Sequence, residues 1–117
     1  MQPNDIFIRA ARLCGTGEEF LSENELTDIR ARALDAINAT LFDLCEHPGV
    51  KKLTEQIEIP EKIADAAVYG TAMFLSLAFG DADKSTLFSE IYNQKRSAVK
   101  SSIGKITDVL PGMGDVL

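Results

Sequence analysis

His47 is the single histidine of the chain and stands two residues from Cys45, the residue types that a Cys–His nucleophilic pair or a zinc site would use. The spacing works against both. Side chains two positions apart on a helix point in different directions, so the pair cannot share a proton. Cys14 could supply a third ligand, but neither C-x₂-C nor H-x₃-H spacing is present. Two buried free thiols in a reducing compartment are the expected state of the cysteines. The run Asp81-Ala82-Asp83-Lys84-Ser85 opens like a calcium loop, yet Thr86 stands where the sharp turn needs Gly and Tyr92 where the loop needs a bidentate Glu. Those acids read instead as helix caps. Glu18 and Glu19 could be drawn as a general acid and base, but adjacent surface carboxylates without a fixed partner are ordinarily solvated. With no G-x-S-x-G, no glycine-rich phosphate loop and no Glu-x-x-His motif, hydrolase, nucleotide-binding and di-iron readings lack support. The residues predict no catalytic site, no metal, no cofactor and no small-molecule substrate.

The elements that carry these residues read as helices. A first helix is expected from Asn4 or Asp5, either able to cap it, to Leu13, with Ile6, Ala10 and Leu13 on one stripe and Gly15 as the stop. Ser22 with Glu25 has capping-box spacing, and Leu26, Ile29, Ala33, Ile37, Leu41 and Leu44 recur at steps of three and four, predicting a second helix over 23–46. Pro48-Gly49 prevents its continuation. From Val50 to Ile59 weak alternation suggests a short extended segment or a loop.

A third helix is expected over 60–79, with Pro60 at its first position, Glu61 at the positive end of the dipole and Gly80 at its close. Between Ala66 and Phe79 no residue is charged, so no face is meant for water and the helix should sit centrally, wrapped by the others. That stretch is too short to span a bilayer. Gly70 costs about 1 kcal/mol of helix propensity against Ala, which points to close packing. Asp81 or Asp83 can cap a fourth helix reaching about Lys100, with Leu87, Phe88, Ile91, Tyr92, Lys95 and Val99 along one side. The glycine-rich remainder holds too few apolar residues for its own core. The expected fold is all-α, a small bundle of about four helices around a central apolar helix (1–100) with a flexible C-terminal tail or arm (101–117).

With 117 residues, 45% of them hydrophobic, the chain can bury one continuous core. A net charge of −6 argues against a dedicated or sequence-specific nucleic-acid binder, since phosphate affinity comes from Lys and Arg. The N-terminus has no long apolar core before a small-residue cleavage site and does not read as a secretory signal.

One stretch goes beyond a generic bundle: IPEKIADAAVYGTAMFLSLAFGD, followed by FSEIYNQKRSAVK. Through Pro60, Asp65, Ala66, Ala67, Tyr69, Gly70, Ala72, Leu75, Leu77, Gly80-Asp81, Tyr92, Asn93, Lys95 and Arg96 it resembles the small head–tail connector (adaptor) proteins of tailed bacteriophages and prophages. Upstream, ALDAINATLFDLCE resembles their long preceding helix, so the likeness covers about residues 25–100. The resemblance implies a non-enzymatic structural subunit that forms a ring homo-oligomer between portal and tail components, in a virion assembled in the bacterial cytoplasm. The competing reading is a small helical regulatory, anti-repressor-like module that binds a host or phage protein.

Charge is unevenly placed. Glu18, Glu19, Glu23 and Glu25 with Asp28 form an acidic block, and Lys95, Arg96, Lys100 and Lys105 a basic one. A ring interface joins two different surfaces, so these blocks, together with Asn93, are candidate interface residues that would face one another across a subunit boundary.

Overall fold

The computed structural model describes residues 1–15 and 21–109, with side chains described as far as Ser101. Four helices follow one another, and no strand occurs among the described residues.

Helix α1 (Pro3–Leu13) begins two or three residues earlier than the expected caps would set it, because Pro3 supplies the first helical φ and lacks the amide that would need a partner. Gln2 is the capping position: its backbone N–H donates to Asp5 Oδ2 at 3.0 Å, and Asp5 N–H donates to the Gln2 carbonyl at 2.9 Å. Ile6, Phe7 and Ala10 bury the inner stripe. Helix α2 (Glu23–Cys45) starts as the sequence predicts, with Ser22 Oγ accepting from Glu25 N–H at 3.2 Å. It ends before Pro48 is reached, where Glu46 turns left-handed at φ 55°. The His47 amide then donates back to the Leu41 carbonyl.

The connection from Glu46 to Pro60 is an irregular loop, fastened to α2 and to the N-terminal residues. Asn38 Nδ2 donates to the Val50 carbonyl at 2.8 Å while its Oδ1 accepts from Val50 N–H at 2.9 Å. Farther along, Ile57 N–H donates to the Met1 carbonyl at 2.8 Å and buries its side chain in the core.

Helix α3 (Glu61–Ala78), capped by Pro60, packs against each of the other three helices, as its apolar sequence predicts. Ala64, Ala66, Ala67, Gly70, Thr71 and Ala72 are all buried, and these short side chains let neighbouring backbones come close. Gly80 at φ 78° makes the turn into helix α4 (Ala82–Val109). Asp81 Oδ1 accepts from Lys84 N–H at 3.0 Å, so this acid is a cap, as read from the sequence. Helix α4 continues to Val109, past the end expected near Lys100. Among the positions assigned to a flexible tail, residues 101–109 are therefore helical in backbone, and 110–117 lie outside the described residues. The core joins Ile6 and Phe7 of α1, Ile37, Leu41 and Leu44 of α2, Leu75 of α3, and Phe88, Tyr92 and Val99 of α4. Each large apolar side chain fully withdrawn from water contributes about 1.5–3 kcal/mol.

Candidate protein interface

At Gly70 helices α2, α3 and α4 crowd together. A Cβ placed there would stand 2.7 Å from Thr40 Cγ2 of α2 and 2.9 Å from Tyr92 Cε1 of α4. One turn farther along the same stripe of α3 the cover is gone. Phe74 is 47% exposed and Leu77 58% exposed, against the expectation that no face of this helix meets water. The two helices crossing α3 at Gly70 leave its C-terminal half partly bare.

The result is a groove of about 510 Å³ between α2 and α3, lined by Ala36 and Ala39 on one wall and by Phe74, Leu75, Leu77 and Ala78 on the other. Arg32 and Asp35 stand at its α2 edge. Arg32 pairs with Asp28 at 2.9 Å, but both are well exposed, so the pair adds little stability and leaves the guanidinium near the groove. A smaller hollow of about 200 Å³ shares Ala39 and Phe74 and reaches Thr40, Asp43, Met73 and Tyr92. Phe42, one turn beyond Ala39, is 62% exposed. Large aromatic and aliphatic side chains gathered at one water-facing site are the mark of a surface that meets a partner.

Beside the hollow, Asp43 receives three hydrogen bonds. Tyr92 Oη donates at 2.6 Å, Arg96 Nε at 2.7 Å and Arg96 Nη2 at 3.1 Å. The Arg96 hydrogen bond, helped by Tyr92 and opposed by partial burial, holds the Asp43 carboxyl below the usual aspartate range. Burial and the Asp43 carboxylate push the Tyr92 phenol well up, so it stays a neutral donor. On the other flank of α4, Lys95 Nζ donates to Asp65 Oδ2 at 2.6 Å and lies 5.2 Å from the Tyr69 ring centroid. The Asp65 hydrogen bond raises the Lys95 pKa, and the Asp43 hydrogen bond raises that of Arg96.

These contacts bear on the charged interface residues read from the sequence. Lys95 and Arg96 are engaged inside the chain, tying α4 to α3 and to α2. Asn93 and Lys100 are exposed on α4, and Glu23 and Glu25 are exposed in the first turn of α2. Glu18 and Glu19 lie outside the described residues. The exposure of Phe42 and of the groove residues Phe74 and Leu77 was not read from the sequence. A signal did exist: the uncharged run in α3 carries more large apolar side chains than three neighbouring helices can cover, and Phe42 falls off the Ile37, Leu41, Leu44 stripe.

The other residues with chemical potential hold structure. Cys14 is buried, its Sγ 3.5 Å from the Ala72 carbonyl and 3.4 Å from Ser76 Oγ, and burial pushes its thiol up. Its carbonyl accepts from Lys84 Nζ at 3.1 Å, closing the end of α1. Cys45 is half-buried, where the sequence reading expected burial, and donates to the Leu41 carbonyl. His47 Nδ1 accepts from Gly49 N–H at 3.0 Å. Among the described residues no three His, Cys, Asp or Glu side chains gather as a metal site, and no helix is long and apolar enough to cross a membrane. Compared with models of known protein families, with curated proteins and with solved structures, the chain matches none of them.

Proposed function

We propose that this chain is a structural assembly subunit of a tailed-bacteriophage particle, a head–tail connector (adaptor) that associates with copies of itself in a ring and acts by binding, without chemistry of its own. The observation that carries the reading is the α2–α3 groove, whose half-exposed Phe74 and Leu77 would stay in water unless a partner covered them.

The connector resemblance adds support of a particular kind. Its positions meet one another in space: Lys95 bonds Asp65 and overlies Tyr69, Gly70 receives Tyr92, and Arg96 clasps Asp43 from the upstream helix. They are the joints that hold α2, α3 and α4 together, so the likeness concerns how such a subunit is built. Its partners under this reading are further copies of the chain and portal or tail components, in a virion assembled in the bacterial cytoplasm.

Light scattering of the purified chain across a range of concentrations, followed by electron micrographs, tests the proposal. Large closed rings are the expected result. A mass that stays at one or two chains at every concentration, also with a portal protein present, would replace it with the regulatory binding module.

A further inference from the structure

We infer that the groove between α2 and α3 is filled by residues 110–117 of a second copy of this chain, an inference that rests on the self-association proposed above.

The path of α4 decides which copy supplies the occupant. Ser85 Oγ donates to the Met73 carbonyl at 2.9 Å, which sets Ser85 level with the groove, while Lys95 meets Asp65 near the start of α3. Helix α4 therefore runs antiparallel to α3 and carries the chain away from the groove. From Ser85 to Val109 the helix covers about 36 Å at the usual rise. Residues 110–117, fully extended, span at most about 28 Å. They cannot return to the groove of their own copy, and only the groove of another copy is within their reach.

The chemistry of the segment fits the lining. Leu110, Met113, Val116 and Leu117 are apolar, and Pro111, Gly112 and Gly114 oppose helix, favouring an extended peptide that can lie along a groove. The floor and walls are Ala, Leu and Phe, on which the adaptable Met113 side chain can settle. Asp115 is the one charged side chain of the segment, and at the α2 edge Arg32 offers it an opposite charge while Asp35 beside it sets which side it must avoid. A contact in which each copy gives a segment and receives one joins two different surfaces, the kind that closes into rings when the rotation allows.

The test uses two variants that each lack one half of the contact. A chain ended after Val109 keeps every core residue among those described, of which Val99 is the last. Phe74→Asp keeps the segment and spoils the groove at a half-exposed position, and Leu77→Asp serves as a second groove variant. The expected result is that the full chain assembles, each variant alone falls to monomer mass with its helical circular dichroism unchanged, and the truncated chain mixed with Phe74→Asp forms a dimer that grows no further. Assembly of the truncated chain as large as that of the full chain would overturn the inference and leave the ring reading standing. A full chain that stays monomeric would overturn the ring reading instead. A labelled peptide of residues 110–117 then decides the groove by fluorescence anisotropy. Binding to the truncated chain that weakens at least tenfold with Phe74→Asp supports the inference, and no binding overturns it.

Discussion

Gly70 and Thr40 stand so close across the α2–α3 crossing that a single added carbon at position 70 would lie 2.7 Å from Thr40 Cγ2, inside van der Waals contact. Gly70→Ala would gain about 1 kcal/mol of helix propensity. Overpacking costs about 1–3 kcal/mol, so the variant is expected to lose stability by about 1 kcal/mol net. Adding Thr40→Ser should return part of the loss, because it removes Cγ2 while keeping the hydroxyl that donates to the Ala36 carbonyl at 2.6 Å. Gly70→Leu should be worse than Gly70→Ala, whereas Asn93→Ala, on the exposed side of α4, should stay within about half a kcal/mol. Urea midpoints of the five chains check the order.

The Asp43 clasp sets a pH dependence. Its pKa is lower in the folded chain than the ordinary aspartate value of 3.8, so its contribution is complete above that value and is lost as pH falls through the lowered one. Urea unfolding at pH 5 and at about pH 2.5 should show a loss in the natural chain that is smaller in Asp43→Asn. Equal losses in both would remove Asp43 from the acid transition. At the alkaline end Tyr92 works the other way: its raised pKa means that stability is present below the ordinary value of 10.0 and declines as pH rises toward the folded one. Tyr92→Phe should flatten that limb.

Thr71 is fully buried in α3, and its hydroxyl oxygen has no hydrogen-bond partner among the described residues. A buried polar group left unmatched costs about 1–3 kcal/mol. Thr71→Val, which keeps the branched shape, is therefore expected to raise stability by about 1 kcal/mol. The same change at Thr40, whose hydroxyl is bonded, should lower it. Thermal melts of the two variants side by side separate the cases.

Glu46 ends α2 in the left-handed region that favours glycine. Glu46→Gly should stabilise the chain by about 0.5–1 kcal/mol, because relief of the left-handed strain of about 1–2 kcal/mol outweighs the added freedom of the unfolded glycine. Glu46→Val should do the reverse, and calorimetry of the pair reads both signs.

The helices were legible in the sequence wherever period, cap and stop agreed. Ser22 with Glu25 placed the start of α2 to the residue, and the uncharged run of α3 placed that helix at the centre of the bundle. The end of α4 was not legible. Gly104 and the β-branched residues after Lys100 weaken a helix without stopping one, so the backbone stays helical as far as Val109. The roles of Lys95 and Arg96 were hidden for a different reason. Their partners Asp65 and Asp43 lie 30 and 53 residues away, and no local pattern records a pairing that only the crossing of helices creates. The groove was obscured by a rule that runs one way: an apolar run implies burial of most of its residues, yet it does not reveal which turn of the helix its neighbours fail to reach.

The amide of Asn38 meets Val50 as a second peptide strand would, with one donor and one acceptor on the same residue. The consequence lies in the timescale of solvent exchange. Loop amides ordinarily trade their hydrogens with water by local opening, at little free-energy cost. The Val50 amide can do so only when the side chain of Asn38, half-buried on α2, lets go. Val50 should therefore hold its deuterium long after Lys51 and Lys52 have lost theirs, and its exchange rate reports how firmly the middle of the chain is fastened to α2.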